Sequence, residues 1–528
     1  MAPRVLVSDK LSETAVQIFR DRGVDVDYLP DLGKDKDALL AKIGEYDGLA
    51  IRSATKVSPK ILEAATKLKV IGRAGIGVDN VDIPAATQRG IVVMNTPFGN
   101  AITTAEHALS MMMALARQIP EANASTHQGK WEKNRFMGVE LFNKTLGIIG
   151  CGNIGSIVAD RALGLKMKVI AFDPFLSAER AVELGVEKVE LEQIWKRSDF
   201  ITLHTPLVEK TRNIVDAAAL AKCKKGVRII NCARGGLVDE DALYDALISK
   251  HVAGAALDVF VTEPATEHKL FALDNVVATP HLGASTGEAQ ENVALQVAEQ
   301  MADYLVKGAV SNALNMPSIS AEEAPRLKPF VALAEKLGSF AGQLTDSDIK
   351  GVVIEYAGDV GEMNTRALTS AAVAGILKEQ MGTINMVSAP VVAKERGIKV
   401  DEVKQTKRGA YETYIRITIK TDKYERSVAG TVFGDGRPRI IQIKGIELEC
   451  NFGPHMLYIT NNDKPGFVGR VGTLLGEAGI NMGTFHLGRL AMGGDAISII
   501  ETDGKVPQQV MDQVGKVPNV VQVKQLRF

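Results

Sequence analysis

Residues 145–155 run Thr145-Leu146-Gly147-Ile148-Ile149-Gly150-Cys151-Gly152-Asn153-Ile154-Gly155, an apolar segment that breaks into spaced glycines. The pattern predicts a buried strand, a tight turn and the first turn of a helix. Gly150 permits the turn, Gly152 lets the backbone approach a pyrophosphate, and Gly155 lets the helix close on the strand. Asn153 and Ile154 open the helix, whose free amides and dipole favour the phosphates. A second apolar strand, Lys168-Val169-Ile170-Ala171-Phe172, ends at Asp173. An acid at that spacing accepts hydrogen bonds from a ribose 2′-hydroxyl and repels a 2′-phosphate. The stretch therefore predicts a dinucleotide cradle that takes NAD rather than NADP.

Working outward, strand-like runs alternate with amphipathic ones from residue 4 to about 280, including Val24–Tyr28, Gly48–Ile51, Lys69–Ile71 and Ile91–Met94. This is α/β patterning. Nearly 100 residues precede the cradle, so a separate α/β lobe is expected first, joined by a helix over 103–117 whose three methionines read as core packing. A long helix over 287–306 is expected to return to that lobe. Pro317, Pro325 and Pro329 mark a boundary. Beyond it come a hairpin-like stretch at Tyr411–Ile419, a turn at Gly434-Asp435-Gly436, and a final βαββ pattern from Met456.

The chain has 528 residues, too many for one core. Its 62 Lys+Arg and 63 Asp+Glu give a net charge of −1, which supplies no global field for nucleic acid or an anionic membrane. Cysteines 151, 223, 232 and 450 lack paired metal-ligand spacing and suit reduced thiols, so no metal is expected. Met1–Asp9 reads as a strand rather than a signal peptide. A cytoplasmic protein without membrane spans is the expectation.

Three polar residues follow predicted strands downstream of the cradle. Arg234 follows Arg228–Asn231, Glu263 follows Leu257–Phe260, and His281 follows Val276–Pro280. Ligands of open α/β sheets bind at the carboxyl ends of strands. An arginine there can hold a carboxylate, and a Glu beside a His fixes its tautomer and favours the protonated ring, which suits proton exchange with an alcohol or ketone.

In the order cradle, arginine, glutamate, histidine, residues 1 to about 316 resemble the D-isomer-specific 2-hydroxyacid dehydrogenases. The motifs are Gly147–Gly155, Asn231-Cys232-Ala233-Arg234-Gly235-Gly236-Leu237-Val238-Asp239, Asp258-Val259-Phe260 with Glu263-Pro264, and Thr279-Pro280-His281-Leu282-Gly283-Ala284. The resemblance implies that Arg234 orients substrate, His281 is the acid/base and Glu263 its partner. It also implies that His204, Thr205, Pro206, Cys232, Ala233, Asp258, Gly283 and Ala284 line the cofactor.

The surplus of cationic donors, Arg52 with Ser53, Arg73 before Gly75-Ile76-Gly77, and Arg135, suits a substrate phosphate. The wording of Ile51–Thr55, Gly72–Asn80 and Phe136–Gly138 resembles the branch of the family that oxidises 3-phospho-D-glycerate with NAD, opening serine synthesis. Residues 317–452 resemble the intervening domain of the long form of that branch. Residues 456–528 resemble an ACT domain, which binds amino acids between paired copies, so serine is an implied effector at Asp463, Gly466 and Asn481. Together these imply a flavodoxin-like substrate domain (1–98 and 286–316) holding a Rossmann-like NAD domain (99–285). An α+β intervening domain (317–452) and a ferredoxin-like ACT domain (455–528) follow, in a dimer or tetramer. A glyoxylate or hydroxypyruvate reductase, or an NADH-sensing corepressor, would need no such tail.

Overall fold

The computed structural model describes residues 2–381, 384–405 and 411–528. The chain divides into two compact units, Met1–Ala74, Val78–Asn95 and Val297–Phe528 against Gly75–Gly77 and Thr96–Gln296.

The first unit opens on five short strands, β1 (Arg4–Val7), β2 (Asp25–Tyr28), β3 (Gly48–Ile51), β4 (Val70–Arg73) and β5 (Val92–Met94). They pair in parallel in the order β2-β1-β3-β4-β5, the flavodoxin-like order. β3 is buried at every position, as a parallel sheet covered on both faces requires.

The second unit holds the Ala101–Arg117 helix and a seven-stranded parallel sheet: β6 (Thr145–Ile149), β7 (Lys168–Phe172), β8 (Glu187–Lys188), β9 (Phe200–Leu203), β10 (Val227–Asn231), β11 (Val252–Leu257) and β12 (Val276–Ala278). Its order is β12-β11-β10-β9-β6-β7-β8. Strand order reverses between β6 and β9, so the crevice for a nucleotide opens at the carboxyl end of β6. Alternate residues feed two separate cores. Leu146, Ile148 and Phe200 join one, and Ile149, Ile201 and Leu203 the other.

The first unit continues after the Gly287–Lys307 helix, which spans the division. The Ala324–Gln343 and Thr365–Met381 helices accompany a six-stranded sheet of β13 (Ile349–Gly358), β14 (Lys399–Gln405), β15 (Thr413–Thr421), β16 (Glu425–Val432), β17 (Pro438–Ile443) and β18 (Ile446–Asn451). The expected hairpin at Tyr411–Ile419 is a single strand, because the chain reverses only at 422–424 and pairs Lys420 with Glu425. The last sheet is β19 (Met456–Asn462), β20 (Met482–Arg489), β21 (Asp495–Thr502) and β22 (Val520–Leu526), in the order β20-β21-β19-β22, with helices Phe467–Glu477 and Gln508–Gly515. That βαββαβ order is ferredoxin-like. Its Tyr458 meets Phe340 of the preceding layer edge-on at 6.0 Å. Among the described residues no helix is long and apolar enough to cross a membrane.

Candidate active site

Each glycine of the cradle has a distinct environment. Gly150 sits at φ +92°, and a Cβ there would come within 2.4 Å of the His204 carbonyl oxygen. A Cβ on Gly155 would lie 2.0 Å from the Gly150 oxygen, whereas one on Gly152 would meet nothing within 4 Å. Two positions are glycine because backbone passes against backbone. The third faces open space that a pyrophosphate would fill. Gly152 caps the Asn153–Gly164 helix without a side-chain hydrogen bond, leaving first-turn amides for an anion. Asn153 and Ile154 lie in that first turn, and the Asn153 amide reaches the Pro97 carbonyl at 3.4 Å.

Asp173 caps the neighbouring strand. Its carboxylate accepts from the Cys151 and Phe175 amides, both at 2.8 Å, so it ties the glycine turn to β7. His204 closes the crevice from β9. Burial pushes its pKa down to about 4, its Nε2 lies 2.9 Å from the Thr202 hydroxyl, and its buried Nδ1 has no hydrogen-bond partner. Thr205 is half-buried and Pro206 exposed beyond it.

On the other wing, consecutive strands β10, β11 and β12 present Arg234, Glu263 and His281 after their carboxyl ends. Asn231 shapes the first turn by donating to the Arg234 carbonyl (2.9 Å) and accepting from the Ala233 amide (3.1 Å). The Arg234 guanidinium also donates to the Ala233 carbonyl at 2.6 Å. Glu263 is held at both oxygens. Oε1 accepts from the Phe260 amide at 3.0 Å and Oε2 faces His281 Nδ1 at 2.8 Å. A cavity of about 690 Å³ borders Phe260, Glu263, Pro264, Thr279 and His281. With Nδ1 committed to Glu263, the exchangeable nitrogen of His281 is Nε2.

Two expected cofactor residues lie deeper than the rest. Asp258 is buried at the base of the cavity that Phe260, Glu263 and His281 border. It accepts from the Thr279 hydroxyl (2.6 Å) and the Leu282 and Gly283 amides (2.7 and 2.8 Å), with His107 Nε2 at 3.2 Å. Burial pushes this carboxyl up, but the hydrogen bonds from His107, Thr279 and Leu282 hold it below the ordinary range. Cys232 is likewise inside, 4% exposed, and burial pushes its thiol up. Ala233 and Ala284 are half-buried and Gly283 is buried. The contact of His107 with Asp258 escaped sequence reading, because a histidine in a methionine-rich helix looks like core.

The expected substrate residues fall in both units. In the first, the Arg52 amide donates to Asp9 at 2.6 Å, and Arg52, Ser53, Lys10 and Lys34 border a cavity of about 510 Å³. Arg73 donates to the Ala74 carbonyl at 3.1 Å. In the second, Gly75, at φ +142°, donates to the Thr96 hydroxyl at 2.6 Å and so fixes the Gly75-Ile76-Gly77 loop. Arg135, also in the second unit, has a side chain 49% exposed; it pairs with Glu132 (3.2 Å) and Asp274 (3.4 Å) and lies over the Phe136 ring, solvent-screened contacts that leave the guanidinium free to exchange partners.

The effector triad is not assembled within one copy. Asp463 and Gly466 precede the 11-residue Phe467–Glu477 helix and Asn481 follows it, a separation of about 16 Å along the axis. Asp463 pairs with Arg489 at 2.7 Å and accepts from the Gly493 amide at 3.1 Å, and Asn481 donates to Asp503 at 2.9 Å.

Comparison with known proteins fits this geometry. Residues 109–283 match the D-isomer specific 2-hydroxyacid dehydrogenase NAD binding domain, and residues 326–444 the D-3-phosphoglycerate dehydrogenase intervening domain. The D-3-phosphoglycerate dehydrogenase of Synechocystis sp. is 42% identical over 520 residues, 98% of this chain and 93% of its own. The chain belongs to the D-isomer-specific 2-hydroxyacid dehydrogenase family. It falls in the branch of the D-3-phosphoglycerate dehydrogenases, as the Bacillus subtilis relative also indicates, at 41% identity over 99% of both chains. NAD is the cofactor of this dehydrogenase. Among solved structures, a glyoxylate reductase from Paecilomyes thermophila superposes with a TM-score of 0.55 at 30% identity, over 59% of this chain and 98% of its own. A D-lactate dehydrogenase from Aquifex aeolicus, solved with NAD and lactic acid, gives 0.52 at 25% identity, over 60% of this chain and 100% of its own.

Proposed function

We propose that this enzyme oxidises 3-phospho-D-glycerate to 3-phosphohydroxypyruvate in the cytoplasm, the first step of phosphorylated serine synthesis. The observation that carries the substrate is the match to D-3-phosphoglycerate dehydrogenases over nearly the whole chain, intervening region included. The chemistry rests on the His281–Glu263 contact. Bound NAD supplies the acceptor for the C2 hydride. His281 Nε2 takes the hydroxyl proton and releases it to water, so that alcohol and NAD become ketone, NADH and a proton. Glu263 keeps the ring proton on Nδ1 in the resting state and stabilises the imidazolium that forms. Arg234 is assigned to the substrate carboxylate, and Arg52, Ser53, Arg73, the 75–77 loop and Arg135 are assigned as further substrate residues.

We assign residues 1–98 with 286–316 to substrate, 99–285 to NAD, 317–452 to the intervening domain and 455–528 to the ACT domain. The enzyme acts as an oligomer. In the second unit Trp131 (87% exposed), Met137 (77%) and Phe142 (60%) are a set of bare apolar side chains that a second copy would cover. Serine binds where two terminal modules pair, because Asp463 of one copy can then approach Asn481 of another. Buried free thiols at all four cysteines accord with a reducing compartment.

The test is NADH formation with 3-phospho-D-glycerate, D-glycerate and D-lactate. Loss of the phosphate removes at least one charge-assisted hydrogen bond, about 1.5–3 kcal/mol, so the unphosphorylated acids should fall by about 10- to 150-fold in kcat/KM. Equal kcat/KM for glycerate and 3-phosphoglycerate would refute the substrate.

A further inference from the structure

Thr104, His107 and Met111 stand at i, i+3 and i+7 on the Ala101–Arg117 helix, which places them on one face. All three reach the segment that carries His281 or the residue that anchors it. The Thr104 hydroxyl donates to the Gly283 carbonyl at 2.8 Å. His107 Nε2 lies 3.2 Å from Asp258 Oδ1 and 3.3 Å from the Thr279 hydroxyl. The same hydroxyl lies 3.7 Å from the Met111 sulfur.

The segment needs holding. His281 has φ +56°, the left-handed region that a non-glycine residue occupies only when its surroundings over-determine it. Asp258 supplies that constraint from two directions. Its carbonyl accepts the His281 amide at 2.9 Å, while its carboxylate accepts from Thr279, Leu282 and Gly283 on either side. Those donors belong to the turn being held. His107 contributes a donor from a helix outside it, so the orientation of the buried carboxylate is referred to a rigid element. A buried carboxylate with one donor removed either turns towards another partner or gains a proton. In both cases the turn relaxes and the imidazole moves off Glu263.

We infer that His107 is a positioning residue for the reaction proposed above, acting through Asp258 on the 279–283 turn to keep His281 in its working orientation. A side chain needed only to fill space would be replaceable by any isostere, whereas this role requires an N–H at the position of Nε2. Glutamine can place its amide nitrogen there.

His107→Ala is expected to lower kcat by about 10- to 100-fold, the scale of a catalytic group displaced by about 1 Å. NADH affinity, read by fluorescence titration, should stay within about threefold, because the cradle is untouched. His107→Gln should recover kcat to within about fivefold of wild type. Turnover by His107→Ala within about twofold of wild type would overturn the inference. So would a glutamine variant no better than alanine, or a loss of NADH affinity in parallel with kcat. Should His107→Ala fail to fold, Thr104→Val carries the test. It removes a second donor on the same face and is expected to lower kcat by about three- to tenfold at unchanged NADH affinity, with full turnover counting against the inference. The inference rests on His281 as acid/base. An active His281→Ala variant would remove that reading, whereas an active His107→Ala beside an inactive His281→Ala removes this one alone.

Discussion

Replacing Glu263 by glutamine keeps the shape and reverses the hydrogen-bond logic, so it separates tautomer control from packing. The Phe260 amide donates to Glu263 Oε1 at 3.0 Å, and that donor orients any amide placed there: the glutamine oxygen must face Phe260. The NH2 then faces His281 Nδ1, where Oε2 stood at 2.8 Å. Nδ1 must accept, so the neutral ring carries its proton on Nε2 and cannot take one from the substrate. A hydrogen bond to a charged group contributes about 1.5–3 kcal/mol, and a neutral one about 1. The His281 side chain is 48% exposed, so water replaces part of what is lost and the low end, about 1.5 kcal/mol, applies. Restoring the working tautomer against the new neutral bond adds about 1 kcal/mol. The sum, about 2.5 kcal/mol, corresponds to about 70-fold in kcat/KM for NADH formation. The assay is initial-rate oxidation of 3-phosphoglycerate at saturating NAD, with Glu263→Ala alongside. Alanine lets water serve Nδ1 in either tautomer, so glutamine should be no faster than alanine. A glutamine variant with more than about a third of wild-type kcat/KM, or about tenfold faster than alanine, would refute the tautomer argument.

The cradle gives a paired test. Gly155→Ala sets a Cβ 2.0 Å from the Gly150 oxygen, a backbone clash of about 1–3 kcal/mol that should lower Tm and NADH affinity together; Gly152→Ala, with nothing within 4 Å, should leave Tm unchanged and still weaken NADH binding. Equal melting of the two variants would contradict the open cradle. Asp173→Ala should narrow the preference for NAD over NADP in kcat/KM, and it should also lower Tm because the Cys151 and Phe175 amides lose their acceptor. An unchanged cofactor ratio would move the determinant elsewhere. Calorimetry should show heat on adding serine to wild type and none with Asp463→Ala, while Arg489→Ala, which frees the Asp463 carboxylate, should bind serine more tightly. Serine heat equal in wild type and Asp463→Ala would sink the site.

What could be read from the sequence was what lies close along the chain. The glycine turn, Asp173 and the strand ends that carry Arg234, Glu263 and His281 are local patterns, and the family motifs supplied their order. Contacts made at long range were not legible. His107 meets Asp258 across 151 positions, and only the packing of a helix on a sheet brings them together. The pairing of Arg135 with Asp274 is another such contact, across 139 positions that no spacing rule connects. The motif named Asp258 without showing that its carboxylate also gathers Thr279, Leu282 and Gly283.

The strand order β12-β11-β10-β9-β6-β7-β8 divides labour within one sheet. Everything that distinguishes one dinucleotide from another hangs from β6 and β7, and everything that moves a proton hangs from β10, β11 and β12, with β9 between. Cofactor choice and proton transfer are thereby separable. An engineer can rewrite Asp173 and the turn after it to accept a different nucleotide without disturbing the histidine wing, and can retune the proton-handling residues of that wing without touching the cradle.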